Sequence, residues 1–126
     1  MLEAVYSILS TTTAITDIVG TSIYPLIREE ETDMPALMME TTGINPLDTN
    51  SGAKVTEYNI DVHSYSQTVQ QSNALMLLVR SALDRVEGEI AGYSIAFSHV
   101  TGMDLDVVAG GRVYTSTTSV SFHIID

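Results

Sequence analysis

Two long segments whose side chains alternate in character with a period of two constrain the fold most. They span residues 55–65 and 114–124. Because successive residues of a strand point to opposite sides of a sheet, each segment predicts a strand with one core-facing side and one polar side. On the closing strand the polar side carries only small or polar residues, namely Thr115, Thr117, Ser119, Ser121 and His123.

Between these strands the sequence predicts a long amphipathic helix over residues 68–87. Its apolar residues recur at spacings of three and four, which places them on one side of the helix: Leu75, Leu78, Val79, Ala82, Leu83 and Val86. Gly88 follows as the expected end of the helix.

The N-terminal third predicts an amphipathic helix, a second short helical piece and the first strand. The first helix carries Leu2, Val5, Tyr6 and Leu9 on one face, and Gly20 is well placed to end the second piece. Residues 35–40 predict a strand. We expect residues 28–33 to form a charged exposed loop, and residues 43–54, which contain Pro46, to form a long loop.

The last third alternates again before the closing strand. Ile95, Phe97 and His99 alternate with small residues, so we expect all three to face the core. Farther along, Met103 and Leu105 share a face in the same way.

These segments predict one domain over residues 1–126, a usual size for a single domain. The expected class is α+β, of the α/β sandwich type, with a mostly antiparallel sheet of four to five strands. An N-terminal helix and one long central helix are expected to pack on one face. The other face would be solvated or would meet a neighbouring subunit.

Charge and composition exclude several classes of function. Sixteen acidic residues against five basic ones give a net charge of −11. Nucleic-acid binders cluster their basic residues, whereas here they are scattered: Arg28, Lys54, Arg80, Arg85 and Arg112. The chain has no cysteine for a disulfide or thiolate site, and no apolar run near the ~20 residues that span a bilayer. We therefore expect a soluble protein of a reducing cytoplasm, with no membrane partner.

No motif predicts catalysis or cofactor binding. Asp61 and His63 share a strand face and would suit a general base, but any polar face produces such a pair. The alternation places His99 on the core side and His63 and His123 on the other, so the three do not converge as zinc ligands. We predict a protein that is not an enzyme and has no catalytic, cofactor-binding or metal-ligating residues.

The order of these features resembles a known family. Four stretches carry the likeness, at residues 22–25 (SIYP), 34–39 (MPALMM), 58–64 (YNIDVHS) and 112–114 (RVY), with the long helix between the last two. In this order and spacing, the chain resembles the tail-terminator, or tail-completion, proteins of long-tailed bacteriophages (siphoviruses) and prophages. The likeness extends over nearly the whole chain.

The resemblance implies helices packed on an antiparallel sheet, no catalytic residues, and assembly into a ring that is usually hexameric. Such a ring caps the finished tail tube, ends its polymerisation and joins it to the head, while DNA passes through the lumen. The implied partners are other copies of the chain, the tail-tube protein and the head–tail connector protein. The implied location is the virion, after assembly in the host cytoplasm.

We expect the lumen or partner contacts to involve residues of charged and polar segments: Arg28, Glu29, Glu30, Glu31, Asp33, Asp48, Asn50, Lys54, Asp104 and Asp106. A ring of six chains would carry 6 × (−11) = −66 formal charges, which would keep DNA from adhering. Two alternatives stay open. One is another head–tail connector or minor tail protein, and the other is a small α+β domain that binds a ligand or peptide on its uncovered sheet face.

Overall fold

The protein forms one mixed six-stranded sheet with three helices, in a computed structural model that describes residues 1–25, 34–47, 54–108 and 113–125. The sheet order is β1-β2-β3-β6-β5-β4, with β1 parallel to β2 and all other neighbours antiparallel. In chain order the elements are α1 (Leu2–Thr11), α2 (Thr13–Val19), β1 (Ile23–Pro25), β2 (Ala36–Leu47), β3 (Val55–Ser66), α3 (Val69–Leu83), β4 (Gly88–Ile90), β5 (Tyr93–Val108) and β6 (Val113–Ile125).

The predicted sheet of four to five mostly antiparallel strands with two helices is wrong. The two additional strands, β1 and β4, have three residues each, which is too short to show a period of two. The parallel pairing of β1 with β2 makes the sheet mixed. The short piece before Gly20 is a separate helix, and Gly20 ends it at φ +59°, as its predicted role requires.

The predicted loop over residues 43–54 is also wrong in its first part, because β2 continues to Leu47 through Pro46. Proline lacks the N–H that a central strand needs, and it is tolerated in strands that have a free edge. The register of β1 on β2 ends at Met39, so beyond that residue β3 is the one described strand that pairs with β2. Pro46 lies in this singly paired part.

The hydrophobic core lies between the helices and one face of the sheet. Every second residue of β3 and β6 points into it, as the alternation predicts, and Phe122 is its largest fully buried side chain. The helices contribute the other side: Ala4, Val5 and Leu9 from α1, Ile15 and Val19 from α2, and Leu75, Val79 and Leu83 from α3. No helix in the described ranges is long and apolar enough to cross a bilayer.

Hydrogen bonds between small hydroxyl residues hold the start of α3 against the sheet. Ser72 of α3, Ser64 of β3 and Ser116 of β6 are all buried, and their hydroxyl groups form one hydrogen-bonded cluster. Each of these three buried hydroxyl groups thus has a partner, as burial requires. Thr68 caps the helix by accepting a hydrogen bond from the backbone N–H of Gln71 at 3.2 Å.

The end of α3 is fixed by β5, and it comes four residues before the predicted end. Ser98 of β5 donates to the carbonyl oxygen of Leu83 at 2.6 Å and accepts from the N–H of Val86 at 2.7 Å. Asp84 accepts from the N–H of Val100 at 2.9 Å. The bond to Leu83 satisfies a carbonyl oxygen in the last turn of the helix, and the other two hold the segment after it against β5. Gly88 therefore begins β4 instead of ending α3.

The core position of Leu75 gives a direct test of the packing. Leu75→Ala is expected to lower the free energy of unfolding by about 2–5 kcal/mol, because it removes apolar burial and leaves a cavity. The matched control is Leu77→Ala on the same helix, whose side chain is 48 % exposed against 0 % for Leu75. The control should change stability by about 0.5 kcal/mol or less in urea denaturation. Equal losses in the two variants would contradict the helix orientation.

Candidate functional site

The sheet has a second face, opposite the hydrophobic core, on which no described helix packs, and we call it the open face. Pairing registers define it, because directly paired residues point to the same side of a sheet. The open face includes Glu40 of β2; Glu57, Asn59, Asp61 and His63 of β3; Thr115, Thr117, Ser119, Ser121 and His123 of β6; and Phe97, His99, Asp104 and Asp106 of β5. The same registers place Met38, Asn45, Leu47, Val55, Tyr65 and Ile125 on this face.

The open face is acidic. It carries five carboxyl groups, and none of the six strands contains a lysine or arginine. The positive charge available within the face is therefore limited to protonated histidine. A surface of this kind repels a polyanion such as DNA.

One cluster on the open face links three strands. The Nε2 atom of His63 lies 2.8 Å from Oε1 of Glu40, and its Nδ1 atom lies 2.8 Å from Oγ1 of Thr117. The imidazole is 19 % exposed, so both ring nitrogens are held in a partly desolvated position. Asp61 is the direct pairing partner of Glu40, and its carboxyl group completes the cluster.

A second cluster surrounds Glu57. The side-chain amides of Asn59 and Asn45 donate to its Oε1 atom at 3.2 and 3.3 Å, and His123 Nε2 lies 3.6 Å from its Oε2 atom. These amide hydrogen bonds stabilise the charged carboxylate and lower the pKa of Glu57 below its ordinary value of 4.5, with Asn59 as the largest cause.

An aromatic stack lies toward one end of the open face, where Phe97, His123 and Glu57 are direct pairing neighbours. Phe97 lies on His123 with ring centroids 4.1 Å apart, and His99 lies 6.0 Å from Phe97. The predicted core position of Phe97 and His99 is therefore wrong, since both side chains are exposed. A bulge between Ile95 and Phe97 is the reason, because one added residue reverses which side of the sheet the following residues face.

Two long strand edges have no partner among the described residues. On β2 the edge runs over residues 40–47, beyond the part that β1 covers, and on β5 it runs over residues 101–105. The earlier part of β5 pairs with β4, accepts a hydrogen bond from the N–H of Arg85 and donates one to the side chain of Asp84. We call them the β2 edge and the β5 edge. They lie on opposite sides of the sheet, and their strands run in opposite directions. Unpaired edges of this length are templates for pairing with another chain.

Exposed apolar side chains mark both edges on the helix-bearing side of the sheet. Ile44 on the β2 edge is 57 % exposed, and Met103 and Leu105 on the β5 edge are each 41 % exposed. Ile44 pairs with Tyr58, Met103 pairs with Thr118, and Leu105 pairs with Ser116. These three partners lie on the core side of the sheet, so the exposed apolar side chains lie on that side as well. A second bulge, between Val100 and Gly102, returns Met103 and Leu105 to that side.

The described residues include three of the predicted contact residues. Lys54 is exposed immediately before β3, and Asp104 and Asp106 are exposed on the open face beside the β5 edge, within a strand and not in a loop. The others, Arg28, Glu29, Glu30, Glu31, Asp33, Asp48 and Asn50, lie outside the described residues. Sequence reasoning missed the Glu40–His63–Thr117 contact, whose partners are 23 and 54 positions apart.

The hydrogen bonds to Glu57 predict a shifted titration. The carboxyl group should titrate below 4.5, so its contribution to stability is complete above the unfolded-state pKa and is lost as pH falls through the folded-state pKa. Asn59→Ala removes the larger cause and should raise that pKa toward its ordinary value. Carbon-13 NMR titration of the Glu57 carboxyl group measures both values. An unchanged value in the variant would contradict the assignment of the cause.

Comparisons with known proteins agree on the architecture and the family. The chain is similar to a chain described as "Virion of native gene transfer agent (GTA) particle", with a TM-score of 0.84, 10 % sequence identity, and coverage of 98 % of this chain and 92 % of the other. At that identity, the likeness establishes the fold. No curated protein matches the sequence. The family model described as "Tail completion protein gp17" matches residues 3–124. The chain therefore belongs to the tail completion protein gp17 family and is a structural component of a phage-type virion tail.

Proposed function

We propose that the protein closes into a ring on the end of the tail tube, ends tube polymerisation and presents its other surface to the head–tail connector. The observation that carries this proposal is the pair of unpaired edges on opposite sides of one sheet. Six copies make the ring that the family resemblance implies. Genome DNA passes through its lumen without specific binding.

The two edges are suited to heterologous pairing, in which the β2 edge of one copy adds to the β5 edge of the next. Because β2 and β5 run in opposite directions, every such junction is antiparallel. A heterologous contact repeats around a rotation axis until the ring closes. Each junction would also provide partners for backbone N–H and C=O groups of the two edges, with which no described strand pairs.

Side-chain character supports the same junction. Ile44 on one edge and Met103 and Leu105 on the other lie on the same side of the sheet, so pairing would bring exposed apolar groups together. Removing these side chains from water favours association. The polar open face then continues from one copy to the next.

The charge of the open face supports a lumen position. A ring that turns this face inward lines its channel with Glu40, Glu57, Asp61, Asp104 and Asp106 from each copy, and no strand supplies a lysine or arginine. Like-charge repulsion would keep DNA mobile in the channel. The contact predicted for Lys54, which is exposed immediately before β3, then belongs to a tube or connector surface. The contacts predicted for the segments around Arg28–Asp33 and Asp48–Asn50 stay predictions.

A charge placed on either edge should prevent ring closure. Ile44→Lys and Leu105→Lys each put an ammonium group at an exposed position, so folding should be retained, while the junction would have to bury the charge. Light scattering coupled to size-exclusion chromatography should give rings for the wild type and monomers for each variant. The control, Leu77→Lys, alters a side chain of similar exposure on α3 and should leave the ring intact.

Mixing the two edge variants separates heterologous from isologous pairing. Ile44→Lys keeps a functional β5 edge and Leu105→Lys keeps a functional β2 edge, so an equimolar mixture can form one junction per pair of chains. The mixture should therefore run as a dimer although each variant alone is monomeric. A mixture that remains monomeric would show that these edges are not each other's partners.

Capping is tested on growing tubes. Wild-type protein added to polymerising tail-tube protein should shorten the tubes, as measured by electron microscopy, with an added ring of density at one end. Tubes grown with the Ile44→Lys variant should have the same length distribution as tubes grown without added protein, because subunits that do not close into a ring cannot cover the tube end. Unchanged tube lengths with the wild-type protein would contradict the proposed terminator function, even if the protein formed rings.

A further inference from the structure

We infer that Glu40, Asp61 and His63 form a binding site for a divalent first-row metal ion, with Zn²⁺ as the best match. One ligand atom from each residue can be chosen so that all three lie within 4.8 Å of one another. This inference departs from our sequence-based prediction of no metal ligands. That prediction rested on a core position for His99, which kept the three histidines apart, and it did not combine His63 with Glu40. The inference is independent of ring formation.

The sheet register explains why these residues converge. Glu40 and Asp61 are direct pairing partners on β2 and β3, and His63 lies two residues beyond Asp61 on the same face. Diagonal neighbours at this spacing are within reach of long side chains. Ligands of one tetrahedral zinc ion lie roughly 3–3.5 Å apart, given bonds of about 2.0–2.2 Å. Reaching that geometry would take rotations of the two carboxyl side chains.

Thr117 supplies the outer contact that a metal-binding histidine requires. It lies directly opposite His63 on β6, and its Oγ1 atom lies 2.8 Å from Nδ1. When Nδ1–H donates to this hydroxyl group, Nε2 presents a lone pair toward Glu40, and this is the tautomer that can bind a metal ion; in the other tautomer Nε2–H donates to Glu40. Outer-shell contacts of this kind orient ligating histidines.

Electrostatics favour an ion of charge +2. Like charges that face each other on neighbouring strands destabilise a sheet, and Glu40 and Asp61 are such a pair. A divalent cation neutralises both carboxylates, and the net charge of −11 attracts it. One nitrogen and two oxygen donors suit Zn²⁺, with Mn²⁺ a weaker competitor in the usual order of affinities. The fourth position stays open to water.

The bound ion would join β2, which carries an unpaired edge, to the centre of the sheet. Its ligands come from β2 and β3, and Thr117 extends the connection to β6. Zinc should therefore raise the stability of the folded chain in proportion to the logarithm of its free concentration.

The test uses full-length protein without a histidine tag, treated with EDTA and titrated with Zn²⁺ alone, then with Mn²⁺ alone. Calorimetry should give one zinc ion per chain, and the Tm should rise by roughly 5–10 °C at a free zinc concentration of ~100 times Kd. Mn²⁺ should bind more weakly. Asp61→Asn and His63→Gln should each abolish the Tm shift. Thr117→Val should weaken zinc binding about tenfold or more.

Asp61→Asn also separates lost binding from lost folding. Without metal its Tm should equal or exceed that of the wild type, because the repulsion with Glu40 is gone, and with zinc the order should reverse. The control, His123→Gln, changes another histidine of the open face and should keep the zinc shift. No shift with either ion, or a zinc shift that survives Asp61→Asn and His63→Gln, would overturn the site and leave only an ion pair between His63 and Glu40.

Discussion

Backbone pairing in the four long strands is the constraint on which the rest of the structure depends. Strands β2, β3, β6 and β5 form a continuous antiparallel sheet that fixes which side chains face the helices and which lie on the open face. Because β1 and β4 are short, the same sheet leaves the β2 edge and the β5 edge without described partners. The pairing of these four strands thus determines the core, the open face and the two edges. In the proposed ring, the edges extend the same antiparallel pairing from one chain to the next.

Sequence reasoning predicts those parts of the fold that are set by local periodicity. The alternation of β3 and β6 and the apolar stripe of α3 as far as Leu83 appear in the structure as predicted, because each depends on neighbours in sequence. Val86, the last residue of the predicted stripe, lies beyond the end of the helix. The strand count, the mixed pairing and the position of Phe97 and His99 could not be obtained in this way. A bulge adds one residue without a compositional signal and exchanges the two faces of the strand beyond it, and two bulges in β5 do so in succession.

The candidate site depends even more on long-range register. Asp61 and His63 can be recognised as a pair from sequence because they lie on one strand, but Glu40 and Thr117 join them only through the pairing of β2 and β6 with β3. The helix end shows the same effect, since Ser98 and Asp84 terminate α3 through contacts with β5 that no local pattern encodes. The family could be recognised from the order of helices and strands along the chain, because wrong predictions of a helix end or of a strand face do not change that order.

The central claim is that neighbouring chains join the β2 edge to the β5 edge. The chain has no cysteine, so Ile44→Cys combined with Leu105→Cys introduces two thiols and no others. Treatment with a short flexible thiol-to-thiol cross-linker, followed by denaturing electrophoresis, measures their proximity between chains. The account predicts a ladder of covalent oligomers that ends at one fixed size, while each single variant yields no ladder. A double variant that stays monomeric after treatment, under conditions where the protein forms rings, would contradict it.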